Sequence, residues 1–188
     1  MKRSLYKTVE AAVLLALLIC LQALGALIPV QLTKQLITGT LVNCVLAVTV
    51  LLSGMGSGIA LALCSPVCAF LLGIAPNLIT VVPIMAGNCC YVALLGSCKS
   101  APLLRQGIGL AAASLAKFAV LYLLVVQLIC GMASGALLGK KLGDTVLLAP
   151  PMLKLLPVMF SWPQLVTALV GGGLALAILP VLRKALHR

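Results

Sequence analysis

Acidic side chains are almost missing from this sequence. Glu10 and Asp144 are its only carboxylates, and His187, in the C-terminal tail, is its only histidine. General acid–base catalysis, metalloprotease chemistry and proton relays all draw on these groups. No Ser/His/Asp set, no histidine pair at zinc-ligand spacing and no pair of intramembrane carboxylates exists, so the chain reads as a non-enzyme that holds no cofactor. Aromatics are also scarce, with three Tyr, three Phe and one Trp. Flat-ring ligands held by stacking would find few walls. The stretch Gly54-Met55-Gly56-Ser57-Gly58 lacks the Gly-Lys-Ser/Thr ending of a phosphate loop, and no strand precedes it, which excludes a nucleotide site of that kind. A turn between helices is the expected role of those glycines.

What the sequence has is apolar surface. Hydrophobic residues make up 63% of the 188 positions and charged residues only 8%. Soluble domains average about half apolar and about a quarter charged, so a water-soluble fold of this size could not hide these side chains. A bilayer can, at about 20 apolar residues per span. The pattern predicts an all-α integral membrane bundle of about six transmembrane helices in a single transmembrane domain, residues 1–188. The expected spans run from about Thr8 to Ile28, Leu36 to Leu52, from after the turn Ser53–Gly58 to about Leu72, Leu78 to Gly96, Ile108 to Cys130 and Pro163 to Leu182. The basic N-terminus followed by an apolar run resembles a signal peptide, but the run from Ala11 to Ile28 is long enough to be kept as a first helix. Residues 131–162 are Gly-rich and then interrupted by Pro150, Pro151 and Pro157. They predict a partly helical interfacial segment rather than a seventh span.

The net charge of +11 would point to nucleic acid in a soluble protein. Here the cations flank apolar runs, so the reading is membrane anchoring and no nucleic-acid partner. Lys2, Arg3, Lys7, Lys99, Arg105, Arg183, Lys184 and Arg188 fall on one side of the six-span arrangement; Lys34, Lys140, Lys141 and Lys154 fall on the other. The positive-inside tendency then places both termini in the cytoplasm of a multi-pass plasma-membrane protein. The eight cysteines sit in apolar runs or at a span end and predict no disulfide framework. Cys64 and Cys68 share a helix face near Cys89-Cys90. The four would suit a soft metal or ordinary packing, and with no histidine or carboxylate beside them packing is preferred and no metal is expected.

Polar residues at membrane depth are the informative ones, because each costs free energy unless it faces a partner or a cavity. Lys117 lies near the middle of the fifth span, Asn88 near the middle of the fourth and Asn43 in the second. Tyr91 follows Asn88 by three residues and shares its face. Gln31, Lys34 and Gln35 form a polar break after the first span, and Gln164 enters the last span behind Trp162, an expected interface anchor. The candidate substrate-binding set is therefore Lys117, Asn88, Asn43, Tyr91, Lys34, Gln31 and Gln164. Lys117 has no intramembrane carboxylate to pair with, so an anionic group on a ligand is its expected partner.

This architecture resembles the substrate-binding S components of energy-coupling factor transporters, over nearly the whole chain. The first span carries Ala12-x-x-x-Ala16, which is similar to that family's small-residue motif. The polar loop after span one and the long segment leading into Trp162-Pro163-Gln164 occupy its two capping positions. The resemblance implies capture of a vitamin or similar small-molecule nutrient from outside, and uptake driven by a membrane T component with two cytoplasmic ATPases. Ala12 and Ala16 would pack on the T component. Lys117 and Lys34 favour a small anionic nutrient in the manner of pantothenate, lipoate, biotin or nicotinate. Against a self-contained transporter or channel stands the lack of correspondence between spans one to three and four to six; a structural membrane protein without ligand would leave Lys117 unexplained.

Overall fold

The computed structural model describes residues 2–72, 77–143 and 145–186, with side chains from residue 6 onward. The expectations for Asp144, His187, Arg188, the side chains of Lys2 and Arg3, and the break at residues 73–76 lie outside the described residues. The chain forms α1 (Lys2–Ala26), α2 (Gln31–Leu52), α3 (Met55–Leu71), α4 (Val81–Ser97), α5 (Leu103–Leu121), α6 (Ser134–Leu137), α7 (Met152–Met159) and α8 (Trp162–Ala185), with a two-strand hairpin, β1 (Lys141–Leu142) and β2 (Thr145–Val146), between α6 and α7. A 3₁₀ turn at Leu78–Thr80 leads into α4, and α5 continues as a π-helix over Tyr122–Met132. Five apolar helical stretches are long enough to cross a membrane, and α3 is a shorter apolar helix. The protein is an all-α membrane bundle.

Helix α2 is its axis. Every residue from Val45 to Leu52 is buried, as expected for a helix that is apolar all round and enclosed by neighbours. Leu46, Val50 and Leu51 pack with Leu61, Tyr91, Val92, Leu95, Ala168 and Ala175 from α3, α4 and α8. Helix α1 is peripheral: Leu18 is enclosed, while Val9, Val13, Leu17 and Leu24 face outward. Lipid tails are as apolar as these side chains, so association of helices in a bilayer depends on close packing instead. Small residues supply it. A Cβ on Gly171 of α8 would run into the Thr40 carbonyl and the Cys44 backbone nitrogen of α2, and one on Gly87 of α4 would press against Leu121 of α5.

At one end of the bundle two cations close the C-terminus of α2. Lys99 Nζ donates to Leu52 O at 2.8 Å and Arg183 to Leu51 O at 3.5 Å. Terminal carbonyls of a helix lack partners within it and carry partial negative charge, so both contacts are favourable. The opposite end is covered by residues 134–143 and 145–161. Leu148, Leu156, Met159 and Phe160 form a second apolar core on Leu121 and Val125. Asn77 Nδ2 donates to Leu147 O at 2.5 Å, which ties this cover to the entry of α4. Gly143, at φ 60°, makes the tight hairpin turn possible.

Several sequence expectations need correction at their boundaries. Gln31 to Gln35 are not a loop but the opening turns of α2, and Met55 to Gly58 already belong to α3. Polar side chains can stay on a helix when they face a polar space, and Gln31, Lys34 and Gln35 line a cavity. The fifth span begins at Leu103 behind Pro102 rather than at Ile108, because Gln106 caps the preceding turn through Lys99 O (3.1 Å) and Ala101 O (2.9 Å). The strand pair was not legible at two residues per strand.

Gly171→Ala should lower the thermal stability of the detergent-solubilised protein, by about 1–3 kcal/mol for overpacking a backbone crossing. Gly173→Ala, where a Cβ meets nothing within 4 Å, should not. Equal melting temperatures for the two variants would contradict the α2–α8 packing.

Candidate functional site

Lys117 is buried, with 3% of its surface exposed. Its aliphatic stem leaves α5 and its ammonium reaches α2 and α4. Nζ donates to Asn43 Oδ1 at 2.5 Å and to Asn88 Oδ1 at 2.7 Å, and stands 5.5 Å from the centroid of the Tyr91 ring. All three partners are neutral. Two amide oxygens and a π-face solvate the cation, which otherwise would carry a heavy desolvation penalty at this depth. By helix rise, Asn43 lies about 18 Å into α2 from Gln31, near the middle of the bundle.

The helix crossings explain why these groups meet. Gly171 lets α8 lie against α2 at Asn43, so that Asn43 Nδ2 reaches Thr167 Oγ1 at 3.4 Å. That contact fixes the amide with its oxygen toward Lys117. Gly87 brings α4 against α5 immediately beside Asn88. Tyr91 is fully buried and its hydroxyl donates to Ala168 O at 3.2 Å, which holds the ring behind the lysine.

Lys117, Asn43 and Asn88 line a cavity of about 130 Å³ among α1, α2, α3, α4, α5, α8 and the cover. Lys117, Asn43 and Asn88 lie on its wall, as do Gln31, Lys34, Gln35 and Gln164 toward the end away from the Lys99–Arg183 contacts. Val42, Pro66, Ala69, Ile84, Met159 and Phe160 form the apolar part of the lining. The cover is bonded to the rim: Gln164 Nε2 donates to Met159 O at 3.1 Å, and Gln31 Nε2 approaches Met159 Sδ at 3.6 Å.

Of the residues singled out in the sequence, the structure thus gathers Lys117, Asn88, Asn43, Lys34, Gln31 and Gln164 about one cavity. Tyr91 is the exception: it backs the lysine and is not on the cavity wall. Another tyrosine, Tyr122, lies outside the lining, and its hydroxyl accepts a hydrogen bond from Gln127 Nε2 at 3.2 Å. Ala12 and Ala16 lie on the outward face of α1, away from the cavity. The cysteines are free thiols. Among the described residues, no three His, Cys, Asp or Glu side chains come together as a metal site. Depth alone would also have flagged Gln22, which interrupts the apolar run of α1, and Ser65, which sits in α3 beside Pro66; both line the cavity. Met159 and Phe160 carry no such signal, because their place depends on how the cover folds back.

The arrangement defines a multi-pass α-helical membrane protein with a polar cavity built around a buried cation. No protein-family model matches the chain, and no similar curated protein or solved structure is found.

The lysine and its amides should behave as one unit. Lys117→Met leaves two buried carbonyl oxygens without a donor, a loss of about 1–3 kcal/mol for each left unsatisfied. In a double-mutant cycle with Asn43→Leu, thermal stability should be non-additive by about 0.5–3 kcal/mol. Strict additivity would show that the Lys117–Asn43 contact contributes nothing.

Proposed function

We propose that this chain is a membrane solute-binding protein, and that it serves as the substrate-binding subunit of an energy-coupling-factor-type importer. The carrying observation is the Lys117 ammonium, held by neutral partners on the wall of a cavity that reaches one end of the bundle. Two amide oxygens solvate the cation without neutralising it. A carboxylate or phosphate bound in the cavity would supply the missing countercharge, and Lys34 at the rim adds to the attraction. The architecture supports a binding role rather than chemistry on the solute.

The subunit assignment is supported by the six apolar helices, the two polar-to-apolar capping regions and the exposed Ala12–Ala16 face of α1, where small side chains would admit a partner helix. It rests on architecture, without a matching relative. In this reading the end bearing Lys99 and Arg183 is cytoplasmic by the positive-inside tendency. The cavity then opens to the outside of the plasma membrane, both termini lie inside, and a membrane T component with two ATPases supplies the energy for uptake. The nutrient is a vitamin or a related small anion.

Native mass spectrometry of the gently solubilised protein tests the binding role: a small acid should co-purify with the wild type and be lost in Lys117→Ala. Co-purified acid retained by that variant would remove Lys117 from the site. The subunit role has a separate test. Ala12→Trp and Ala16→Trp should abolish co-purification with a T component and leave the acid bound; unimpaired assembly in both would contradict the assignment.

A further inference from the structure

Asn43 and Asn88 hold Lys117 together, but their hydrogen bonds leave them in different states. Lysine only donates, so each asparagine turns its amide oxygen toward Nζ, at 2.5 Å and 2.7 Å. The two amide nitrogens then point elsewhere. Asn43 Nδ2 is committed. It donates to Thr167 Oγ1 at 3.4 Å, and the Thr167 hydroxyl in turn donates to Gln164 O at 3.2 Å. Both ends of the Asn43 amide are therefore spent on the protein. Asn88 Nδ2 makes no hydrogen bond among the described residues. Nor is it one of the fully enclosed polar atoms that lack a partner, as Gln22 Oε1 and Ser65 Oγ are. Asn88 is 1% exposed and lines the cavity, so the cavity is the space open to its amide nitrogen. Lys117 also has a donor to spare. An ammonium carries three N–H groups, and Asn43 and Asn88 take two of them.

The two free donors are neighbours. Nζ lies 2.7 Å from Asn88 Oδ1, so Asn88 Nδ2 stands within about 5 Å of it by the bond lengths of the amide. One carboxylate bridges donors at that separation, with an oxygen on each. The charge available at this depth is single. Lys34, the other cation on the lining, stands about 14 Å from Asn43 by helix rise along α2. A dianionic phosphate placed at Lys117 keeps one negative charge without a countercharge, a heavy cost for a buried ion.

We infer that the ligand presents a monoanionic carboxylate at this depth, with one oxygen on Lys117 Nζ and the other on Asn88 Nδ2. Asn43 is a positioning residue: it holds the lysine and does not touch the ligand. Phosphate esters are disfavoured by charge, and neutral amides by the loss of it. This inference rests on the binding role proposed above and narrows its anion from carboxylate or phosphate to carboxylate.

Isothermal titration of the purified full chain in detergent at pH 8 tests it, with hexanoate, pentyl phosphate and hexanamide as probes. Their short chains suit a cavity of about 130 Å³ with Val42, Ala69 and Ile84 on its wall. Pentyl phosphate should bind at least about tenfold more weakly than hexanoate, because shedding its second charge costs about a hundredfold at this pH. Hexanamide should also bind more weakly than hexanoate. Asn88→Leu should weaken hexanoate at least about tenfold, the worth of one hydrogen bond to a charged group. Asn43→Leu should leave hexanoate within about threefold of the wild type, since no bond to the ligand is lost. Equal binding of hexanoate and pentyl phosphate by the wild type overturns the carboxylate assignment while the binding role stands, and needs no variant to fold. Equal weakening in folded Asn88→Leu and Asn43→Leu overturns the Asn88 contact. Hexanamide bound as tightly as hexanoate overturns both the inference and the ionic reading beneath it. If no probe binds, the inference is overturned; the binding role then falls with it only if native mass spectrometry also finds no anion on the protein.

Discussion

An ammonium ion in the middle of a membrane bundle must be surrounded by oxygen or it will not remain there. Lys117 meets that requirement through Asn43 and Asn88, one from each of two neighbouring helices. The rest of the fold can be understood as what it takes to hold those amides in place. Asn43 needs Thr167 on α8, which needs the glycine crossing at Gly171. Asn88 needs α4 pressed on α5, which needs Gly87. Small residues that bring backbones together in lipid are thus also the residues that bring a cation to its ligating oxygens. In the proposed binding role the neutral partners matter: a carboxylate would quench the charge, whereas amides leave it available to an incoming anion.

The two ends of the bundle are built differently, and each in keeping with that centre. At one end Lys99 and Arg183 close the last carbonyls of α2, so the polar demands of the helix are met without a cavity. At the other end the opening turns of α2 and α8 carry Gln31, Lys34, Gln35 and Gln164, and their polarity is directed into the space beneath the cover. The cover has its own apolar core, and among the described residues its side-chain polar ties to the bundle are at Asn77, Gln31 and Gln164. Segments with few such ties are where local opening is cheapest, and this one stands over the mouth of the cavity.

Much of this was legible in the sequence because lipid makes a simple rule: apolar runs become helices and polar residues at depth must meet something. That rule locates the six apolar helices and groups Lys117, Asn43 and Asn88. It failed at boundaries. Gln31 to Gln35 look like a loop by polarity, yet they remain helical because their side chains have a polar space to enter. Tyr91 shares a face with Asn88 by spacing, but a large ring next to the Gly172 crossing is driven into the α8 contact and not into the cavity. Gln22 and Ser65 carry no distinct signal, because a single polar residue in an apolar run is ordinary; only the packed helices show that both line the cavity. The hairpin and the position of Phe160 depend on long-range packing that no local pattern encodes.

The most direct test of the central claim is an experimental map of the protein purified without added ligand, at a resolution that distinguishes water from an organic acid. The account predicts continuous non-protein density inside the cavity, with an oxygen-bearing end within hydrogen-bonding distance of Lys117 Nζ. A cavity in which Lys117 is met only by Asn43, Asn88 and isolated waters, unchanged after soaking with small carboxylates, would contradict it.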